Sequence, residues 1–104
     1  MLLTTTNNIE GRTIKEYRGI VFGEVVNGIH YYKDIMAGIS NFTGGRSYEY
    51  EEELVNTRAE AIREMINRAE KIGANALVGV KVEYETINQM VLVVASGTAV
   101  VLEE

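Results

Sequence analysis

Gly44, Gly45, Arg46 and Ser47 stand directly before a long helical pattern and are the first candidates for chemistry in this sequence. Free backbone amides at a helix N-terminus, together with Arg46, could bind an anion or another small ligand. The alternative is a Gly-Gly hinge with Ser47 as the N-cap of the helix. The glutamates that follow favour the hinge, because they would repel an anion.

His30 is the single histidine of the chain and a weak candidate metal ligand or base. A histidine that acts as a base needs an orienting carboxylate, and Asp34 is the one candidate nearby in sequence. The neighbouring Asn27-Gly28 pair is typical of a tight turn, so a surface loop position for His30 is the simpler interpretation.

Four glutamates at the start of the long helical pattern form a further candidate site: Glu49, Glu51, Glu52 and Glu53. Carboxylates can hold a hard divalent cation together with water molecules. Acids in a first helical turn also complement the helix dipole, and this solvated helix start is the favoured interpretation.

Composition excludes several kinds of site. The chain has no cysteine, which rules out disulfides, thiolate zinc sites, iron–sulfur clusters and thiol nucleophiles. Its net charge of −5 argues against nucleic acid or an anionic membrane as the main partner. No spacing of a nucleophile and a base indicates catalysis, so we predict that the protein is not an enzyme. The sequence does not identify a cofactor.

The elements that must position these residues form one domain over residues 1–104. Apolar residues at spacings of three and four predict a long helix from Ser47 to Ile72, interrupted by a polar gap at Thr57 and Arg58. Gly73 is predicted to cap this helix in the left-handed conformation. No signal peptide or apolar run long enough to cross a bilayer is seen, so we expect a cytoplasmic protein.

Three strands are predicted, over Thr13 to Val26, Ala76 to Thr86 and Met90 to Leu102. Alternation in the first strand predicts Tyr17 on the same side as Val21 and Val25. In the second strand it predicts Val78 on the same side as Val80 and Val82. The last strand is apolar on both faces, so it should lie centrally with each face covered. A short predicted helix over Tyr32 to Phe42 would supply part of that cover, and another subunit the rest.

The motifs, taken in order, resemble the YbjQ-like family of small bacterial proteins along essentially the whole chain. The resemblance rests on Thr4-Thr5-Thr6, Glu10-Gly11, Tyr17 with Gly19-Ile20-Val21, Ala37-Gly38-Ile39, Gly44-Gly45-Arg46-Ser47, Gly73-Ala74-Asn75-Ala76-Leu77-Val78-Gly79-Val80 and Ser96-Gly97-Thr98-Ala99-Val100.

The resemblance implies an α+β domain in which a long helix packs on an antiparallel sheet, with the last strand central, in a dodecin-like arrangement. It also implies a homopentamer and carries the label of a heavy-metal-binding family of uncharacterised function. Some relatives look to have a cysteine after the tyrosine of the first strand, where this chain has Arg18. Soft metals prefer thiolate, so the label lacks its best ligand here.

These observations together predict a ring-forming binding protein that holds a metal ion or a small ligand between its subunits. Two alternatives stay open. One is an enzyme whose active site lies at the subunit junctions and uses Arg46, His30 and glutamates, and the other is a scaffold that only binds partner proteins.

Overall fold

The computed structural model describes residues 1–27, 48–87 and 90–104. In chain order its elements are strand β1 (Leu2–Leu3), strand β2 (Ile14–Asn27), helix α1 (Tyr48–Lys71), strand β3 (Ala76–Ile87) and strand β4 (Met90–Leu102). The predicted helix over Tyr32 to Phe42 lies outside the described residues. None of the helical residues described forms a segment long and apolar enough to cross a bilayer.

The described strands form one four-stranded sheet in the order β1-β3-β4-β2. Strand β4 runs antiparallel to β3 and β2 on either side, so the predicted central position of the last strand is confirmed. The α+β class with a helix packed on the sheet is confirmed as well. The sheet is mixed, however, because Leu2 and Leu3 pair in parallel with Ala76 and Leu77. A two-residue strand is too short for periodicity to predict its direction.

Helix α1 continues without a break through the predicted polar gap. Thr57 lies in this gap but is buried, with 2% of its surface exposed. The Thr57 hydroxyl donates to the Glu53 carbonyl oxygen at 2.8 Å, which satisfies the hydroxyl inside the core. Thr57 therefore lies on the same buried stripe as Ala61, Met65 and Ala69.

The end of α1 has the geometry that Gly73 predicts. Gly73 has φ +84°, its N–H donates to the Glu70 carbonyl at 3.0 Å, and the Ala74 N–H donates to the Ala69 carbonyl at 3.1 Å. These two bonds are the Schellman pattern, and buried Ala69 and Ala74 supply its apolar contact. The cap directs the chain straight into β3.

Helix α1 lies closest to β2, and Gly23 is the residue that permits this approach. A Cβ built on Gly23 would lie 1.8 Å from the Ala61 carbonyl oxygen and 2.7 Å from the Met65 nitrogen. The core beneath the helix is formed mainly by small and β-branched residues: Val21, Ala61, Met65, Ala69, Leu77, Val80, Val91, Val93, Ala95 and Ala99.

Three shifts in strand register correct the predicted alternation. Shifts on either side of Tyr17 put it opposite Val100, on the face away from α1, so its predicted grouping with Val21 and Val25 is wrong. A shift between Val78 and Lys81 separates Val78 from Val80 in the same way. An extra residue in one strand reverses the facing of every residue before it. Gly19 and Gly79, with φ +121° and +62°, lie at two of these irregularities.

A second, smaller cluster covers one end of the sheet face that α1 does not reach. It consists of Ala76, Val78, Val100 and Leu102, with Ile9 and Ile14 packed against them. The rest of that face has no cover from the described part of the chain.

Candidate functional site

Two of the candidate sites proposed from the sequence lie outside the described residues. These are Gly44, Gly45, Arg46 and Ser47, the candidate ligand site, and His30, the candidate metal ligand. The preference for a hinge at residues 44–47 and for a surface loop at His30 therefore stays a prediction.

Within the part of the chain that the structure describes, no group of three or more His, Cys, Asp or Glu side chains could hold a metal ion. The glutamates described in the first turns of α1 do not form such a group.

The uncovered part of the sheet, which we call the open face, is defined by strand register. Residues directly opposite each other in paired strands share a face. The open face carries Ile20, Phe22, Glu24 and Val26 from β2, Leu92, Val94, Ser96 and Thr98 from β4, and Lys81, Glu83 and Glu85 from β3.

The open face exposes large apolar side chains to water. Ile20 is 71% exposed, Val26 55% and Phe22 45%, and Leu92 and Val94 beside them are half-buried. Several large apolar side chains exposed on one face are typical of a region that contacts another molecule.

Polar groups interrupt the apolar surface in a regular pattern. Glu24 and Glu83 flank Val94 from the two sides, and Glu85 lies beside Leu92 in the next row. An open cavity of about 480 Å³ lies here, lined by Phe22, Glu83, Tyr84, Glu85, Val94 and Ser96. Its carboxylates and hydroxyl can accept hydrogen bonds from a ligand or bind a cation, and its apolar walls can bury a carbon skeleton.

A second cavity, of about 550 Å³, lies at the end of the sheet and is lined by Lys15, Asn75 and residues 101–104. The Asn75 side chain is committed to structure there. Its Oδ1 accepts from the Leu102 N–H at 2.8 Å, and its Nδ2 donates to the Leu102 carbonyl at 3.4 Å. These bonds tie the start of β3 to the end of β4, so the open face is the better candidate for binding.

The basic residue of the first long strand has a local partner. Arg18 pairs with Glu16 at 3.1 Å on β2, which is the outer strand of the sheet. Its guanidinium also lies within 3.8 Å of the point where a Cβ on Gly73 would stand. A cation at this end of α1 complements the helix dipole, which accounts for Arg18 without a ligand.

The sequence matches a known protein family over nearly its whole length. Residues 1–103 match the family model YbjQ_1, whose description is "Putative heavy-metal-binding". The chain belongs to the YbjQ family. It is 58% identical over 106 aligned positions to UPF0145 protein lwe0170 of Listeria welshimeri, covering 99% of this chain and 96% of that one. UPF0145 protein lmo0208 of Listeria monocytogenes matches with the same identity and coverage.

A solved structure agrees with the fold. It is a protein of unknown function of the DUF74 family from Pediococcus pentosaceus, with a TM-score of 0.57 and 18% sequence identity. The match covers 99% of this chain and 98% of that one. The family model and the Listeria relatives thus show the family, and the solved structure supports the fold.

Sequence reasoning missed the open face as a candidate site, although a signal was present. Glu83 and Glu85 alternate with apolar neighbours in β3, and alternation alone puts them on one side of the strand. The bulges in β2 and β3 determine which other residues share the face of Glu83 and Glu85. The hydrophobic periodicity of the sequence does not show these bulges.

Proposed function

We propose that this YbjQ-family protein is a cytoplasmic, non-catalytic binding protein that assembles into a homopentameric ring and holds a metal ion or a small ligand between its subunits. The observation that carries the proposal is the open face, where exposed Ile20, Phe22 and Val26 adjoin a cavity with two glutamates. The pentameric number and the metal label come from the family resemblance.

A ring requires head-to-tail contacts, in which the open face of one subunit meets a different surface of the next, and head-to-tail contacts that close form rings. A two-fold dimer would pair the open face with itself, residue i of one copy against residue j of the other. Lys81 lies on the same face as Glu83 and Glu85, so the charges of this face fit either arrangement, and the ring is proposed from the family resemblance.

A site between subunits fits what the described part of one chain offers. The glutamates and Ser96 of the cavity supply acceptors on one side, and the cavity is open on the other. A neighbouring subunit that covers the open face would close the cavity and add the remaining ligands, as concave binding sites require.

Assembly is tested with an Ile20→Lys variant, because Ile20 is exposed in one chain but buried in the proposed contact. Wild-type protein should sediment at five times the 11.6 kDa mass of one chain. The variant should sediment as smaller species, since a buried unpaired lysine is costly. Its circular dichroism spectrum should match that of the wild type.

Val55→Lys is the matched control, because Val55 is an exposed β-branched residue on α1, away from the open face. It leaves the open face intact, so the assembly should be unchanged unless α1 is the surface that meets the open face of the neighbouring subunit. Wild-type protein that sediments as a monomer at micromolar concentration would contradict the ring, and native mass spectrometry would report any ligand retained by the assembly.

A further inference from the structure

Among the described strands, β2 presents a long free edge. It is an outer strand of 14 residues, paired with β4 on one side only among the described strands. Unpaired N–H and C=O groups on such an edge can pair with a strand of another chain and start open-ended aggregation. Bulges on either side of Tyr17 disrupt the first part of this edge, but the register is regular from Gly19 to Asn27.

Arg68 of α1 reaches across this regular part of the edge. Its Nη1 donates to the Phe22 carbonyl oxygen at 2.7 Å and to Glu24 Oε1 at 3.0 Å. Its Nη2 donates to the Glu64 carboxylate one turn earlier on the helix. In an antiparallel strand, alternate residues direct their backbone groups to the same side. The Phe22 carbonyl that meets Arg68 is therefore one that an added strand would use.

The guanidinium is suited to this position by its shape. It is planar with several fixed N–H donors, so it can serve the backbone carbonyl and two carboxylates at once. Glu64 from the helix and Glu24 from the strand hold it from two elements. A lysine has a single ammonium nitrogen and could not match the three acceptors in the same fixed geometry.

We propose that Arg68 closes the free edge of β2 against strand addition by a second copy of this chain. A second copy has a strand to offer, because β3 beyond Val80 pairs with β4 alone among the described strands. The added strand would need the Phe22 carbonyl as an acceptor and would have to displace the guanidinium from two carboxylates. Arg68 thereby prevents the sheets of successive copies from joining edge to edge without end. This role does not depend on how many subunits the protein's own assembly contains.

The test compares Arg68→Met with Arg63→Met, which removes another exposed arginine from the same helix and leaves the Arg68 bonds to β2 in place. Methionine keeps an unbranched stem and favours helix, so the fold should be retained. The Arg68→Met variant should form thioflavin-binding species with about a tenfold or greater rise in weight-average mass, because edge pairing does not close. Arg63→Met should keep the wild-type size.

Partial unfolding of Arg68→Met could also raise its weight-average mass. A second substitution, Glu24→Pro, distinguishes partial unfolding from strand addition at the β2 edge. The Glu24 backbone N–H lies on the same side as that of Phe22, so proline there removes no bond to β4 while blocking strand addition. The double variant Arg68→Met/Glu24→Pro should return to the wild-type size. Growth equal to that of Arg68→Met would overturn the proposal.

Arg68→Lys keeps the test decisive if the methionine variant does not fold. Lysine retains the positive charge but not the fixed geometry of the guanidinium. The weight-average mass of Arg68→Lys should therefore rise more slowly than that of Arg68→Met but faster than that of the wild type. Arg68→Met or Arg68→Lys protein that folds and keeps the wild-type size contradicts the edge closure. A wild-type monomer that grows only after Arg68→Met would contradict the ring while supporting the edge closure, so the two proposals fail separately.

Discussion

At the scale of single residues, Gly23 determines how close α1 can lie to the sheet. Gly23→Ala should lower the free energy of unfolding by about 3 kcal/mol or more, because its Cβ would overlap the Ala61 carbonyl oxygen at 1.8 Å. The neighbour is helix backbone, which cannot rotate away as a side chain can. Urea unfolding followed by circular dichroism measures the change.

Gly97→Ala is the matched control on β4. A Cβ there would lie 3.2 Å from a Val80 methyl group, a contact that a small side-chain movement can relieve. We expect a loss of less than half that of Gly23→Ala. Equal losses would mean that the helix adjusts easily and that Gly23 does not set its distance from β2.

The sequence indicates the residue types at such positions but not their neighbours. Thr57 interrupts the apolar stripe of α1 in the sequence, yet it is buried with its hydroxyl bonded to the Glu53 carbonyl. Gly23 gives no signal at all, because its role depends on Ala61, which lies on another element. Close approaches of this kind arise only when helix and sheet pack together.

At the scale of elements, the cap of α1 tests the relation between local sequence and structure. Gly73→Val should destabilise the protein by more than about 1 kcal/mol, because a β-branched residue resists the left-handed conformation at φ +84°. A Cβ there would meet nothing closer than the Arg18 guanidinium at 3.7 Å, so the cost is conformational rather than steric. The melting midpoint measures it.

Gly73→Asn distinguishes the conformational cost from the steric cost of an added Cβ. Both variants add a Cβ, but asparagine adopts the left-handed conformation more readily than valine. It should lose clearly less stability than Gly73→Val. Identical midpoints for wild type and the valine variant would show that the Schellman bonds of Gly73 and Ala74 add little to the end of the helix.

The bounds of the long elements follow from periodicity, while their registers do not. Helix α1 and strands β3 and β4 begin and end within about one residue of their predicted limits, because apolar spacing and Gly73 specify them. The faces of Tyr17 and Val78 were predicted wrongly, because a bulge depends on pairing between distant strands. The parallel pairing of β1 with β3 is not predicted either, because a strand of two residues is too short to show a periodicity.

At the scale of the whole molecule, the two-sided apolar pattern of β4 predicts both its central position and the need for cover. Helix α1 covers one face, and Ile9 with Ile14 covers one end of the other. The sequence could not predict where that cover stops, since the small cluster forms from residues far apart in the chain. The boundary of the open face, and with it the candidate site, is a property of the assembled sheet.

The family's metal label can be tested by titration, and we expect zinc or cadmium to bind no more tightly than about 10 µM. Each chain lacks cysteine and supplies a single imidazole, so a tight soft-metal site would have to collect His30 from several copies. A ring can do this at its axis, but four or six ligands in tetrahedral or octahedral geometry fit a five-fold axis poorly. The carboxylates of Glu83 and Glu85 favour hard cations instead.

Isothermal titration of wild type, His30→Ala and a Glu83→Gln/Glu85→Gln variant distinguishes these ligands. Weak binding that survives His30→Ala but is lost with the two glutamines would assign it to the carboxylates of the open face. Sub-micromolar zinc binding abolished by His30→Ala would contradict the expectation and support a soft-metal site. The titration is run on protein whose size has first been measured by sedimentation, because the proposed site takes ligands from more than one copy of the chain.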